Sequence, residues 1–428
     1  MACDIPQFSQ REAPMLNQLV IENYRSCVRT SLNLHPHLSV LIGPNGSGKT
    51  NILQTIMLLN KLTRQSESVS RHPVVTGGSR VKASFQTGRV AAKLRLSFDA
   101  FKTDTGSEQR LEASQKWLLT EQNGRQAAFE LPLAVPAIAG SDWPNLYRRQ
   151  YWHKGSRTSR LKRDAVADAT IPPWAAGAAV RISEFCRDIK YYSASQFTDP
   201  GSSPVSFEVD EEGTRPRFQR YRGHERILYD MYSAKRAIGD GRYGRFINIV
   251  GPQGLGLIDS LTFRSVRTSS ATYSVRVGGK VEVRKRNKLL IVPQFKIGGL
   301  VLSPNQLSEG TFKTLALLFQ VITADSQLLL IEEPEVCVHH GLLSSILELI
   351  KNHSQSRQVI ISTHSDFVLD HVEPENVFSV SFNKKFGTLV RHIPETLSRK
   401  EIAALKNYLA REGNLGEYWR EGGLGDLS

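Results

Sequence analysis

The sequence predicts an α/β fold, a mixed, mainly parallel sheet flanked by helices, with a β-rich, basic insertion. Three observations predict it. From residue 307 the chain alternates helix and strand as "SEGTFKTLALLFQVITA", "QLLLIEEP", "GLLSSILELIKNHS" and "RQVIISTHS". Its strands are apolar enough to be covered on both faces, as parallel strands are. Near the N-terminus, "LSVLIGPNGSGKT" runs from an apolar strand into a glycine-rich turn. The following "NILQTIMLLNKLTR" places Ile52, Leu53, Ile56, Met57, Leu59 and Leu62 at helical spacing. Between these ends, stretches such as "AAKLRLSFDAF" and "QKWLLTE" read as strands outside that pattern.

Taken in order, residues 1–75 form the first part of the α/β core and 76–182 the insertion. Residues 183–300 return to the core through a strand at Ile189–Tyr192, pass a Gly-, Pro- and Ser-rich loop at 198–224, and follow with a helical segment near 224–250. A hairpin then turns at Gly278-Gly279, and 301–428 complete the core. No internal repeat or sustained heptad is visible.

A chain of 428 residues, 40% apolar, can bury a large core. Its 55 Lys and Arg exceed 41 Asp and Glu, giving +14, a balance that favours polyanionic partners. Cys3, Cys27, Cys186 and Cys337 are scattered without metal-ligand or disulfide spacing, which fits a reducing, cytoplasmic setting. The N-terminus lacks an apolar signal core, and the most apolar region is interrupted by polar residues, so the expectation is a protein away from the membrane.

"GPNGSGKT", residues 43–50, satisfies the phosphate-loop pattern G-x-x-x-x-G-K-[ST] between a strand and a helix. The backbone N–H groups of Asn45, Gly46, Ser47 and Gly48 can turn towards phosphate oxygens, with the helix dipole behind them. Lys49 reaches the β- and γ-phosphates of ATP, and the Thr50 hydroxyl ligates Mg²⁺. A second motif answers it: "LLLIEEP" ends an apolar strand in Glu332 and Glu333. Such a site needs one carboxylate for the metal and one to orient the attacking water; Glu332 fits the first role and Glu333 the second. "LSEGT" places Ser308 and Gly310 at a helix start, and "IISTHS" ends a strand at His364.

In this order, "GPNGSGKT", "LSEGT", "LLLIEEPE" and "IISTHS" resemble the Walker A, signature, Walker B and switch-histidine motifs of ABC-type P-loop ATPases of the SMC/RecF-like branch. "LVIENYRSC" resembles that branch's first strand and its aromatic-Arg-Ser turn. Ser308 follows Lys49 by 259 residues (308 − 49), unlike the close spacing of transporter ATPases. Within the branch, the double glutamate followed by Pro334-Glu335, and the tail "LAREGNLGEYWREGGLGD", resemble the stand-alone OLD-like ATPases of the AAA15/AAA21 type in anti-phage defence systems such as PARIS or Septu. Where that group carries "LHP", this chain has Val338-His339-His340, and the usual Walker B aspartate is Glu332.

The resemblance implies a homodimer or higher oligomer that sandwiches two ATP molecules. Ser308 and Gly310 of one subunit would grip the γ-phosphate held by the other's Lys49. His364 would stabilise that phosphate and Glu333 would polarise water. For the Q-loop glutamine that the resemblance implies, Gln196 is the better candidate, with Gln86 and Gln115 weaker, and none of the three is assigned. The implied function is control of a separately encoded, nuclease-like effector in anti-phage defence, since no nuclease centre is visible in this chain. A RecF-like ATPase acting on DNA is the alternative. Between Asn145 and Arg163 stand seven Lys and Arg, no acid, and the aromatics Tyr147, Tyr151 and Trp152, a composition suited to nucleic acid. "VRKRNK", 283–288, is a weaker basic patch.

Overall fold

The computed structural model describes residues 13–63, 78–102, 109–132, 171–210, 223–237, 239, 241–275, 281–336, 338–411 and 413–421. The basic, aromatic run at 145–163 and the Gly278-Gly279 turn lie outside them. The chain divides into two compact units. One comprises the described residues of Met1–Tyr191, Asp325–Glu333 and Ile350–Ser428; the other comprises Tyr192–Ala324 and Pro334–Leu349.

The first unit opens with β1 (Met15–Tyr24), β2 (Cys27–Asn33) and β3 (Leu38–Ile42), then helix α1 (Lys49–Thr63). Strands β4 (Ser79–Thr87), β5 (Val90–Lys102), β6 (Gln109–Glu121) and β7 (Gln126–Pro132) follow, then α2 (Pro173–Arg187) and β8 (Lys190–Ser193). The segment read as an insertion is β-rich, but its strands are continuous with the N-terminal ones, in the order β2-β1-β4-β5-β6-β7. β1 and β4 pair antiparallel, Leu19 opposite Ala83 and Ile21 opposite Val81. The reason is burial: Val81, Ala83, Phe85, Leu94, Leu96 and Phe98 join Leu19, Ile21 and α1's Ile52, Leu53 and Ile56 in one core. Alternate positions such as Arg80, Lys93 and Arg95 face solvent, which gives the segment its basic composition.

In the second unit β9 (Phe207–Asp210) is followed by α3 (Gly223–Arg236) and α4 (Arg242–Val250), so the single helical segment near 224–250 is two helices. β10 (Ser260–Val275) and β11 (Val281–Ile297) form the expected hairpin, with Val275 opposite Val281, and β12 (Leu300–Leu302) adds to β11. The 198–224 loop reading missed β9, four residues that pair with β11 because Phe207 is buried opposite Ile291. Helix α5 (Glu309–Thr323) completes the run. His224 is buried between Phe197 and Phe312, its ring centroid 4.8 Å from that of Phe312, and burial pushes its pKa down.

The chain then forms β13 (Leu328–Glu332), α6 (His340–Ser354), β14 (Gln358–Thr363), β15 (Val377–Asn383) and β16 (Gly387–His392). His339 caps α6, its Nδ1 accepting the Leu342 N–H at 3.3 Å, so that histidine has a structural use. The central sheet runs β16-β15-β3-β14-β13-β8. β15, β3, β14 and β13 are mutually parallel and β16 turns back antiparallel, which is the mixed, mainly parallel sheet expected. Every residue of β3, β13 and β14 is buried, as parallel strands covered on both faces require. Cys27 and Cys186 are buried free thiols whose pKa values burial raises, which suits packing and not redox chemistry. Among the described residues no helix is long and apolar enough to cross a membrane.

Candidate nucleotide-binding site

Three parallel strands deliver their C-terminal ends to one edge of the sheet, where α/β proteins bind ligands. β3 ends at Ile42 and the chain enters the glycine loop; α1 begins at Lys49. Gly46 and Gly48 adopt φ of 81° and 106°, the left-handed region that glycine enters without strain. Gly43 has no room for a side chain, since a Cβ there would lie 2.0 Å from the Val380 carbonyl oxygen. Lys49 is 6% exposed, and its ammonium donates to the carbonyls of Gly43 at 2.6 Å and Pro44 at 3.0 Å, which fixes it over the loop.

The two glutamates part company at the end of β13. Glu332 is the last strand residue, buried, opposite Ser362 in the parallel register. The Thr50 hydroxyl donates to its Oε1 and the Tyr191 hydroxyl to its Oε2. Tyr191 in turn accepts from Gln54 Nε2 at 3.3 Å. Glu333 leaves the strand with φ of 51°, a left-handed backbone rare for a side chain of this kind, pinned by its N–H donating to Ser362 O at 2.8 Å. Strain of this sort is tolerated where surrounding structure fixes it, and concentrates at functional sites. His364 Nδ1 stands 3.6 Å from Glu333 Oε1.

These residues converge. Asn45, Gly46, Gly48, Lys49, Thr50, Asn51, Glu333 and Ser362 line one pocket. The Ser362 hydroxyl in this lining is buried with no hydrogen-bond partner, as is the Ser47 hydroxyl of the glycine loop, which suits a polyoxyanion supplying acceptors. Thr50 and Glu332 place two hard oxygen donors together, the donor type that suits Mg²⁺.

Ser308 and Gly310 lie in the second unit. Ser308 is exposed at the N-cap of α5, its Oγ accepting the Thr311 N–H at 3.2 Å. Behind it Lys313, 2% exposed, is paired with Glu309 at 2.5 Å. Of the glutamine candidates, Gln86 Nε2 donates to Gly88 O at 2.8 Å and Gln115 accepts from Trp117 Nε1 at 3.2 Å, both local structural uses. Gln196 is exposed in the 3₁₀ turn after β8.

Sequence reasoning missed Tyr191 and the linkage around Arg25. Arg25, in the tight β1–β2 turn with φ of 51°, donates to Asn51 Oδ1 at 3.1 Å; Asn51 Nδ2 donates to Ser26 Oγ at 2.6 Å. The motif "NYRSC" was the available signal for it.

An α/β sheet edge carrying a glycine loop, a buried lysine and a Thr-carboxylate pair defines a P-loop nucleotide-binding protein. Comparison with known proteins finds partial matches to ATPases. Residues 15–114 match the family described as "AAA ATPase domain", and residues 277–370 the family described as "AAA domain, putative AbiEii toxin, Type IV TA system". The DNA replication and repair protein RecF of Staphylococcus epidermidis is 48% identical over 44 residues, 10% of this chain and 12% of the relative; RecF of Staphylococcus aureus aligns to the same extent. The chain thus spans about an eighth of the length of these curated relatives. Solved structures with similarity include an SMC head bound to the C-terminal winged-helix domain of ScpA (14% identity, 90% of this chain and 100% of that one, TM-score 0.42). The SMC head of Thermotoga maritima is another (13%, 89% and 99%, TM-score 0.36). These matches support an ABC-type ATPase of the SMC/RecF-like kind.

Proposed function

We propose that this chain binds ATP with Mg²⁺ and hydrolyses it as a dimeric switch that controls a separately encoded effector in anti-phage defence. The observation that carries the ATP chemistry is the division of labour at the end of β13. Glu332 is held by Thr50 and Tyr191, while Glu333 is turned into the pocket beside His364. Lys49 and the loop N–H groups hold the phosphates. Mg²⁺, when bound at Thr50 and Glu332, would neutralise developing charge on the phosphates. Glu333 accepts the proton of the attacking water, and His364 faces the terminal phosphate.

Tyr191 then acts as a positioning residue, because its hydroxyl fixes one oxygen of the metal carboxylate. Tyr191→Phe is expected to raise the Mg²⁺ concentration for half-maximal turnover by about tenfold, with ATP affinity in excess Mg²⁺ little changed. A magnesium titration of ATPase rate checks it.

The sandwich reading rests on the resemblance and on Ser308, whose place at the exposed start of α5 leaves the helix N-terminus free to meet a second subunit's phosphate. Ser308→Asp is the sharp test, since aspartate caps a helix as well as serine but repels a phosphate. The expected result is an unchanged melting temperature with hydrolysis and ATP-induced dimerisation both lost; retained turnover would end the sandwich model.

The defence role draws on the AbiEii-type family match over the signature, Walker B and switch segments. A second reading, a RecF-like ATPase acting on DNA, draws on the match to RecF. Tagged Glu333→Gln protein, pulled from its host with ATP, separates them. Copurification of a toxic or nuclease-like protein supports the first, and DNA with no protein supports the second and makes residues 145–163 the next target.

A further inference from the structure

We propose that the β15–β16 hairpin, through Phe382 and Phe386 with Val28 beside it, is the platform on which the nucleobase stacks; this rests on the ATP reading above and deepens it. Among the described residues of the first unit, the large apolar side chains that stand exposed are Val28 (47%), Leu118 (38%), Phe382 (51%) and Phe386 (53%). Three of the four belong to the β15–β16 hairpin and the strand beside it.

That place adjoins the P-loop. A Cβ on Gly387 would lie 2.2 Å from Ser26 O and 2.8 Å from Val28 Cγ2, so the residue after Phe386 is pressed against the start of β2. Thr388 Oγ1 donates to Ser47 O at 3.0 Å, lies 2.7 Å from Ser26 Oγ, and would be 2.0 Å from a Cβ on Gly48. Phe382 is directly opposite Thr388 in the antiparallel register. Opposed residues present their side chains on the same sheet face, so Phe382 stands on the face that Thr388 turns to the P-loop. Asn383 Oδ1 accepts the N–H groups of Lys385 at 2.8 Å and Phe386 at 3.1 Å, which holds the turn in one conformation.

The direction of the nucleotide follows from strand order. β14 and β13 carry His364 and the glutamates on one side of β3, and β15 and β16 lie on the other. A terminal phosphate facing Glu333 and His364 leaves the phosphate chain to run across Lys49 to Asn51. Sugar and base then emerge on the hairpin side. Two exposed phenylalanines there have the chemistry to stack a base, and the Lys385 ammonium stands over one face of the Phe386 ring, 5.2 Å from its centroid.

The test is calorimetric titration of the full chain with ATP and, separately, with inorganic tripolyphosphate, which has no base. In the Phe382→Ala/Phe386→Ala variant the Kd for ATP is expected to rise by at least about tenfold while that for tripolyphosphate stays put. Phe382→Tyr/Phe386→Tyr is expected to restore ATP affinity, which separates stacking from damage to the fold. Unchanged ATP affinity in the alanine variant overturns the platform and leaves the P-loop reading standing. An equal loss for both ligands also overturns it, since the hairpin would then act through the loop. If the unaltered chain binds neither ligand, the ATP reading falls and the platform with it.

Discussion

Glu333→Gln is expected to slow ATP hydrolysis by about 10²- to 10⁴-fold, the range that a positioned general base supplies, with ATP affinity nearly unchanged. The amide keeps the size of the carboxylate, and the backbone bond from residue 333 to Ser362 O does not involve the side chain. What is lost is the ability to take a proton from water. Glu333→Gly makes the complementary point. A left-handed backbone costs an ordinary residue about 1–2 kcal/mol, and glycine escapes it at a comparable entropic cost. The glycine variant is therefore expected to melt no lower than the parent while losing turnover equally. Single-turnover hydrolysis beside thermal melts would show it. Rapid turnover in Glu333→Gln would remove Glu333 from the reaction, and a large fall in melting temperature for Glu333→Gly would mean that its strain serves packing instead.

What the sequence disclosed, and what it hid, divides by distance along the chain. The glycine loop, the helix after it and the strand that runs into Glu332 are local patterns, each written within about a dozen residues and each found where expected. The geometry around them is not local. Tyr191 reaches Glu332 across 141 positions because β8 lies beside β13, and Ser26 meets Thr388 across 362. No periodicity announces either contact. The same limit explains the sheet: β5 and β6 read as strands, but their alternation says only that one face is buried, and not that β4 joins them to β1. β9 went unread because its four residues, "FEVD", are too few to show a period and draw their order from β11. The units follow the same logic, since 325–333 and 350–428 rejoin the N-terminal residues through parallel strands that no linker signals.

Lys49→Ala is expected to weaken ATP binding by about 10²- to 10³-fold, as loss of one partner of a buried, hydrogen-bonded charge pair does. The ammonium is buried and held by the carbonyls of Gly43 and Pro44, so in this arrangement the lysine organises the loop as well as charging it. Alanine thus removes two contributions, the cation that meets the phosphates and the donor that satisfies two loop carbonyls. Lys49→Met separates them partly, keeping the length of the apolar stem without the charge. If the charge dominates, both variants lose ATP alike and their melting temperatures stay close to the parent's. If loop order dominates, methionine retains more affinity than alanine. Arginine offers no rescue on either account, because its planar fork needs more room than the space between the loop carbonyls gives a single ammonium. ATP affinity surviving in both variants would show that the glycine loop is only a turn joining β3 to α1, and the roles assigned to Thr50, Glu332 and Glu333 would fall with it.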